Sequence, residues 1–303
     1  MNILLHYDVI VKYLEKKDTF TKSQIDLNRD NLFNDPFNQI ILSNKFIDLI
    51  DEQLTNSNIN ILGYYQSMIV ELSDNHRIIN LQSNIISNIE DEFSNLYNNA
   101  TGRIFFTFVE SPNPVFNNFQ YNLCIIDNIS IPNKDWILLE LCAKKYFIVH
   151  FYHFADDSQI NIFFNDIFSI HHNLQIINIV DDYMNFNSHN NFNFIRNNNI
   201  KINYFSTGMD PATRCPRQPY TQQKLQGNKS NIKNYFSQDS EYFVSNNRAY
   251  THPRRILFEN IILSPDIDFA QIKFANRNWF ISVEYSQLTY RYIMNCLNTF
   301  TKI

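Results

Sequence analysis

A chain of 303 residues and 36.1 kDa has room for two domains or one large one. A hydrophobic fraction of 44% with 27 Phe excludes a disordered polymer, and no apolar run is long enough to cross a membrane. The net charge of −5 is uneven: residues 1–186 carry 11 Lys/Arg against 23 Asp/Glu, and residues 187–303 carry 14 against 7, so an acidic half precedes a basic one.

Residue spacing excludes further classes. The four glycines (Gly63, Gly102, Gly208, Gly227) are too scattered for a Walker A loop or a GxGxxG fingerprint. Cys124, Cys142, Cys215 and Cys296 are far apart and form no CxxC pair, which argues against a zinc ribbon or a disulfide framework. With no basic-apolar leader at the N-terminus, the expectation is a cytoplasmic protein with no membrane partner.

In chain order, MNILLHYDVIVKYL reads as a buried strand (Ile3, Leu4, Leu5) that breaks at His6-Tyr7-Asp8 and resumes at helical spacing with Val9, Ile10, Tyr13 and Leu14. Open α/β sheets gather ligand-binding side chains at such strand ends. Strands are expected at 3–5, 39–42, 103–109, 121–126, 147–151 and 175–179, and helices at 9–16, 44–54, 76–97 and 134–144. This alternation predicts an α/β fold with a largely parallel sheet over 1–186. The Asn-rich run 187–199 reads as a linker or long loop. Beyond it, strands are expected at 200–205, 242–244, 255–263, 269–274 and 279–284. A last helix at 287–300 carries Leu288, Tyr292 and Cys296 on one face, and 200–303 reads as a basic, mostly antiparallel α+β part.

Metal-dependent phosphodiester cleavage needs carboxylates converging at strand ends to hold Mg²⁺ or Mn²⁺. The first half offers Asp8 after the first strand, Asp48, Asp51 and Glu52 on the second helix, and Asp135 at the start of a helix, where it also suits an N-cap. Asp156 and Asp157 follow the strand at 147–151. His6 suits a hydrogen-bonded histidine at a sheet end better than a metal ligand. In the second half, Arg214, Arg217, Lys224, Lys229 and Lys233, interleaved with Tyr220, Tyr235 and Phe236, suit phosphate contacts and base stacking on single strands. Arg248, His252, Arg254 and Arg255 form a second cluster before an apolar strand.

Four segments, ILLHYDVIVKYL, IILSNKFIDLIDEQL, KDWILLELCAKKYFIVHFYHF and NLQIINIVDDYMNF, resemble in their order the PIN-like nucleases over residues 3–186. The resemblance implies an α/β nuclease-like domain with a catalytic set of Asp8, Asp48, Asp135 and Asp156, metal ligands Asp8 and Asp135, and a Mg²⁺ or Mn²⁺ cofactor if the site is active. The chain departs from the pattern in placing His6 where the family has its first Asp, and Tyr152 at its fourth acid. The expected function is therefore a nucleic-acid-interacting protein on a degenerate PIN-like domain, in a prokaryotic defence or toxin-type system, with RNA or single-stranded DNA as partner. A divergent metal-dependent nuclease is the enzymatic alternative. A structural subunit that assembles with a partner protein or as a homo-oligomer is the third.

Overall fold

A computed structural model describes residues 1–82, 88–100, 105–119, 123–130, 133–152, 157–171, 174–182, 200–210, 218–267, 269 and 278–303. The chain divides into two compact units, Met1–Lys144 and Lys145–Ile303.

Among the described residues, unit 1 is a five-stranded, all-parallel sheet flanked by helices. Strand β1 (Asn2–Leu5) leads into α1 (Tyr7–Lys16), which buries Val9, Ile10, Tyr13 and Leu14, the face that the spacing predicts. Helix α2 (Gln24–Asn34) follows, then β2 (Gln39–Leu42), α3 (Asn44–Ser57) and α4 (Ile59–Asp74). The helix expected over 76–97 is not formed. His76 adopts φ 54° and the Arg77 N–H donates to Leu72 O, which closes α4 with a left-handed cap. In its place come β3 (Ile78–Asn80) and α5 (Ile89–Asn99). Strand β4 (Phe106–Val109), β5 (Leu123–Ile125) and α6 (Lys134–Lys144) complete the unit. The strand order is β3-β2-β1-β4-β5. Central strands covered on both faces are near-continuously apolar, and Ile3, Leu4, Leu5, Ile40, Ile41, Phe106 and Phe108 are buried accordingly, with Thr107 a buried polar residue between the two Phe.

Among the described residues, unit 2 is an eight-stranded mixed sheet. Its elements are β6 (Tyr146–Phe151), α7 (Asp157–Phe168), β7 (Ile176–Val180), β8 (Lys201–Thr207), α8 (Gln222–Tyr235), β9 (Glu241–Ser245), α9 (Arg248–Thr251), β10 (Arg255–Phe258), β11 (Ile261–Pro265), β12 (Trp279–Tyr285), α10 (Gln287–Leu297) and β13 (Thr301–Lys302). The order is β13-β9-β8-β7-β10-β11-β12-β6. Strands β7, β8 and β9 run parallel, and every other pairing is antiparallel. The strands expected at 147–151 and 175–179 in the first sheet are thus strands of the second, β6 and β7, and the division at Lys144/Lys145 precedes the Asn-rich run. The PIN-like order of segments therefore spans two sheets. Charge follows the units less steeply than it follows the halves. Unit 1 carries 10 Lys/Arg against 18 Asp/Glu, and unit 2 carries 15 against 12.

The apolar run expected as one strand at 255–263 is a hairpin, because Glu259 (φ 44°) and Asn260 (φ 69°) are both left-handed, as a two-residue type I′ turn demands. Glutamate is poorly suited to that conformation. Glu259→Gly is expected to stabilise unit 2 by about 1 kcal/mol, read as a raised unfolding midpoint. Helix α10 packs Ile293 and Leu297, with Phe300 beyond its end, over Val180, Phe205, Leu257 and Ile262, so Leu288 and Tyr292 on its other face point outward. Phe269 lies outside any strand, and 270–277 are not among the described residues. No helix among the described residues is long and apolar enough to cross a membrane.

Candidate functional site

Parallel strands end together, so each parallel set offers one edge at which side chains converge. In unit 1 that edge begins with His6, which caps α1. Its Nδ1 lies 3.4 Å from the Asp8 N–H and 3.5 Å from Asp8 Oδ2, and its Nε2 lies 3.2 Å from Glu90 Oε2. The neutral ring accepts the Asp8 amide at Nδ1 and donates to Glu90. The imidazolium donates to both carboxylates. Contact with His6 holds the Asp8 carboxyl below its usual range. The ring is buried, edge-on to Phe93 and Phe116. His6 is thus the hydrogen-bonded sheet-end histidine that its sequence position suggests.

The remaining strand ends of unit 1 are internally satisfied. Ser43 after β2 caps α3 and donates to the buried Glu92. Glu110 after β4 takes a two-pronged pair from Arg29, Nε to Oε1 at 2.9 Å and Nη2 to Oε2 at 2.7 Å, while Arg29 Nη1 reaches Asp26 at 2.6 Å. Asp135 accepts the Ile125 N–H at 2.8 Å, and burial raises its carboxyl above the usual range, so it ties α6 to β5.

Asp48 is exposed on α3. Together with Asp51 it lies near Tyr65 of α4, and Gln66 of α4 donates to Asp51. The α3 acid that instead lines a strand-end cleft is Glu52. That cleft, about 430 Å³, is lined by Tyr7, Asp8, Leu49, Glu52, Gln53, Asn56, Asn88, Ile89 and Glu90. Helical spacing explains the difference, since 49, 52, 53 and 56 share one face and 48 falls beside it. Among the described residues, no group of three or more His, Cys, Asp or Glu is placed to hold a metal ion. Asp156 lies outside the described residues.

Unit 2 has a denser cluster. Asp181 and Asp182 follow β7, and the Asp181 N–H continues the parallel ladder by donating to Phe205 O at 3.0 Å. Both carboxylates are buried, Asp182 with 0% of its side chain exposed. Burying two adjacent charges is costly unless each gains donors and a cation. Asp181 accepts from Tyr204 Oη at 2.9 Å and lies 3.9 Å from Arg254 Nε. Asp182 accepts from Thr251 Oγ1 at 2.9 Å and lies 3.9 Å from His252 Nδ1. Burial and the neighbouring Asp181 push the Tyr204 hydroxyl well up, which keeps it a neutral donor. The His252 side chain is 62% exposed above this buried floor.

Topology brings these groups together. The first residue of β10, Arg255, pairs with Val180, the last of β7, so the approach to β10 runs beside Asp181 and Asp182. Here the sheet changes from parallel to antiparallel. The same edge carries Gly208, where an added Cβ would stand 2.9 Å from Asn246 Oδ1, and Tyr220, whose N–H donates to Gly208 O at 2.7 Å. Thr221 then caps α8 by accepting the Lys224 N–H, which places Lys224 in the first turn there. Lys229 and Lys233 lie further along α8 and are half-buried. Arg255, next to Arg254 in sequence, turns to the opposite face, where burial lowers its pKa against the opposing charge of Glu284. Arg214 and Arg217 are outside the described residues.

No family model matches the chain, and no curated protein matches it. Among solved structures it is similar to NucT from Helicobacter pylori, with 8% identity over 52% of this chain and 99% of that one at TM-score 0.34. It is similar to phosphatidylserine synthase from Haemophilus influenzae Rd KW20, with 10% identity over 52% and 40% at TM-score 0.37. A third likeness is to TrmBL2, an archaeal chromatin protein described with a mode of DNA binding, with 8% identity over 53% and 54% at TM-score 0.32. Likenesses this distant carry no argument about activity.

Proposed function

We propose that this chain is a nucleic-acid-interacting protein that engages backbone phosphate at the C-terminal edge of β7, β8 and β9 in unit 2. The observation that carries this reading is the pair His252 and Arg254 set over two buried carboxylates at that edge. The carboxylates lie 3.9 Å from the mostly exposed imidazole and from the neighbouring guanidinium and draw both toward this edge, where their donors suit a phosphate oxygen. Lys224 adds a mobile cation, and Tyr220 is an aromatic residue whose backbone is tied to the same edge, a combination suited to single strands. Unit 1, in this reading, is an α/β scaffold in which Ser43, Glu110 and Asp135 at the strand ends are committed to internal partners.

The test is fluorescence anisotropy with labelled single-stranded RNA and DNA at several salt concentrations. Affinity is expected to fall at least tenfold between about 50 and about 200 mM salt. The double variant Lys224→Gln with His252→Gln should lower the slope of log K against log salt by about one for each phosphate it no longer neutralises. A flat salt profile would sink the proposal.

One observation favours a second, enzymatic reading. An exposed imidazole backed by a buried carboxylate is the arrangement by which a histidine is oriented for nucleophilic attack or proton transfer. In that reading His252 acts on the phosphodiester and Arg254 steadies its oxygens.

A further inference from the structure

Strand β6 ends the eight-stranded sheet, and its pairing with β12 runs without a bulge from Tyr146↔Glu284 to Phe151↔Trp279. The Tyr285 N–H donates to Lys145 O at 2.7 Å, which fixes the phase of the ladder. Antiparallel bonding alternates, so Phe147, Val149 and Phe151 turn their backbone groups to β12, and Tyr146, Ile148 and His150 turn theirs to the open side. Among the described residues no strand pairs on that side.

Soluble proteins guard such edges with charge, proline, a bulge or a covering element. Tyr146–Phe151, YFIVHF, contains no Lys, Arg, Asp, Glu or Pro. Its outer face is apolar for an exposed strand: Tyr146 is 52% and Ile148 39% exposed, and the His150 ring lies 5.9 Å from that of Phe280. The strand is also close to palindromic in chemistry about Ile148, with Phe147 and Val149 flanking it inward and the rings of Tyr146 and His150 flanking it outward. A two-fold contact requires one patch to complement itself. An uncharged strand that reads alike in both directions meets that requirement and offers nothing to select a charged partner.

We infer that β6 pairs antiparallel with β6 of a second copy of this chain, about an axis through Ile148, joining the two eight-stranded sheets into one. Ile148 then faces Ile148, and Tyr146 faces His150 on either side of the axis, with about six N–H···O bonds between the copies. The cross-strand contacts are aromatic and β-branched pairs, the kind that stabilise sheets.

Analytical ultracentrifugation of the full chain, with amide hydrogen exchange, tests this. The expected result is a dimer that dissociates on dilution, with the amides of Tyr146, Ile148 and His150 slowed at least about tenfold in the dimer. Ile148→Lys sets two ammonium groups against each other at the axis and is expected to weaken the dimer at least about tenfold and free those amides. Ile148→Val keeps the shape and should retain it. Circular dichroism of both variants establishes that unit 2 remains folded. A chain that stays monomeric at high concentration with fast exchange at these amides overturns the inference, as does a dimer that Ile148→Lys leaves intact.

Discussion

In the enzymatic reading, Asp182→Asn is expected to leave unit 2 folded while removing about two to four orders of magnitude from kcat/KM for phosphodiester cleavage. Asparagine fills the same volume, and its side-chain oxygen still accepts from Thr251 Oγ1. What disappears is the negative charge 3.9 Å from His252 Nδ1. That charge matters most when the ring becomes cationic, in the transition state rather than in the bound complex. Affinity for a labelled oligonucleotide should therefore change less than about threefold, because the phosphate-facing cations remain. Full-rate cleavage by the variant would show that His252 does not carry the reaction, while leaving the binding proposal standing.

Arg29→Met is expected to destabilise unit 1 by about 3–5 kcal/mol at neutral pH, because it strands the buried Glu110 without its partner. The loss should shrink as pH falls. Burial already raises the Glu110 carboxyl above its ordinary value, with Arg29 pulling the other way, so removing Arg29 raises it further. A carboxyl raised in the folded state binds more protons there than in the unfolded chain. Stability then declines as pH rises from the unfolded value through the folded one, and recovers on acidification. Asp26, held low in part by Arg29, loses that support in the variant. Paired urea titrations of both proteins at about pH 7 and about pH 5 measure the change. An equal loss at the two pH values would mean that Glu110 is not the stranded group.

The elements that were legible in the sequence are those with a clean period or a cap. β1 and α1 follow directly from ILLHYDVIVKYL, and Ser43 marks the start of α3 as its spacing suggests. Helix α2 was not legible, because QIDLNRDNLFN is polar on most positions and its capping box, Ser23 with Asp26, is the only local signal. Helix α7 failed for the opposite reason: INIFFNDIF is apolar at so many positions that no period stands out. The site in unit 2 was half legible. The rule that singles out polar residues after a buried strand applies to IINIVDD as well as to ILLHYD, and His252 and Arg254 stood out as part of a basic cluster. Their meeting depends on β10 pairing with β7, an approach of segments about seventy residues apart that no local pattern encodes.

That long-range pairing has a counterpart at the far side of the sheet, with a consequence for synthesis. Unit 1 completes its strand pairing once β5 has emerged, near residue 125. Unit 2 begins with β6, whose partner β12 spans Trp279–Tyr285 at the other end of the unit. During translation the YFIVHF strand therefore waits for almost the whole of unit 2 with both edges bare. Loop closure over that span is slow and leaves an aggregation-prone strand exposed. A ribosome that stalls before β12 would release a chain whose first unit is native and whose second displays an unpaired apolar strand, the kind of surface that chaperones recognise.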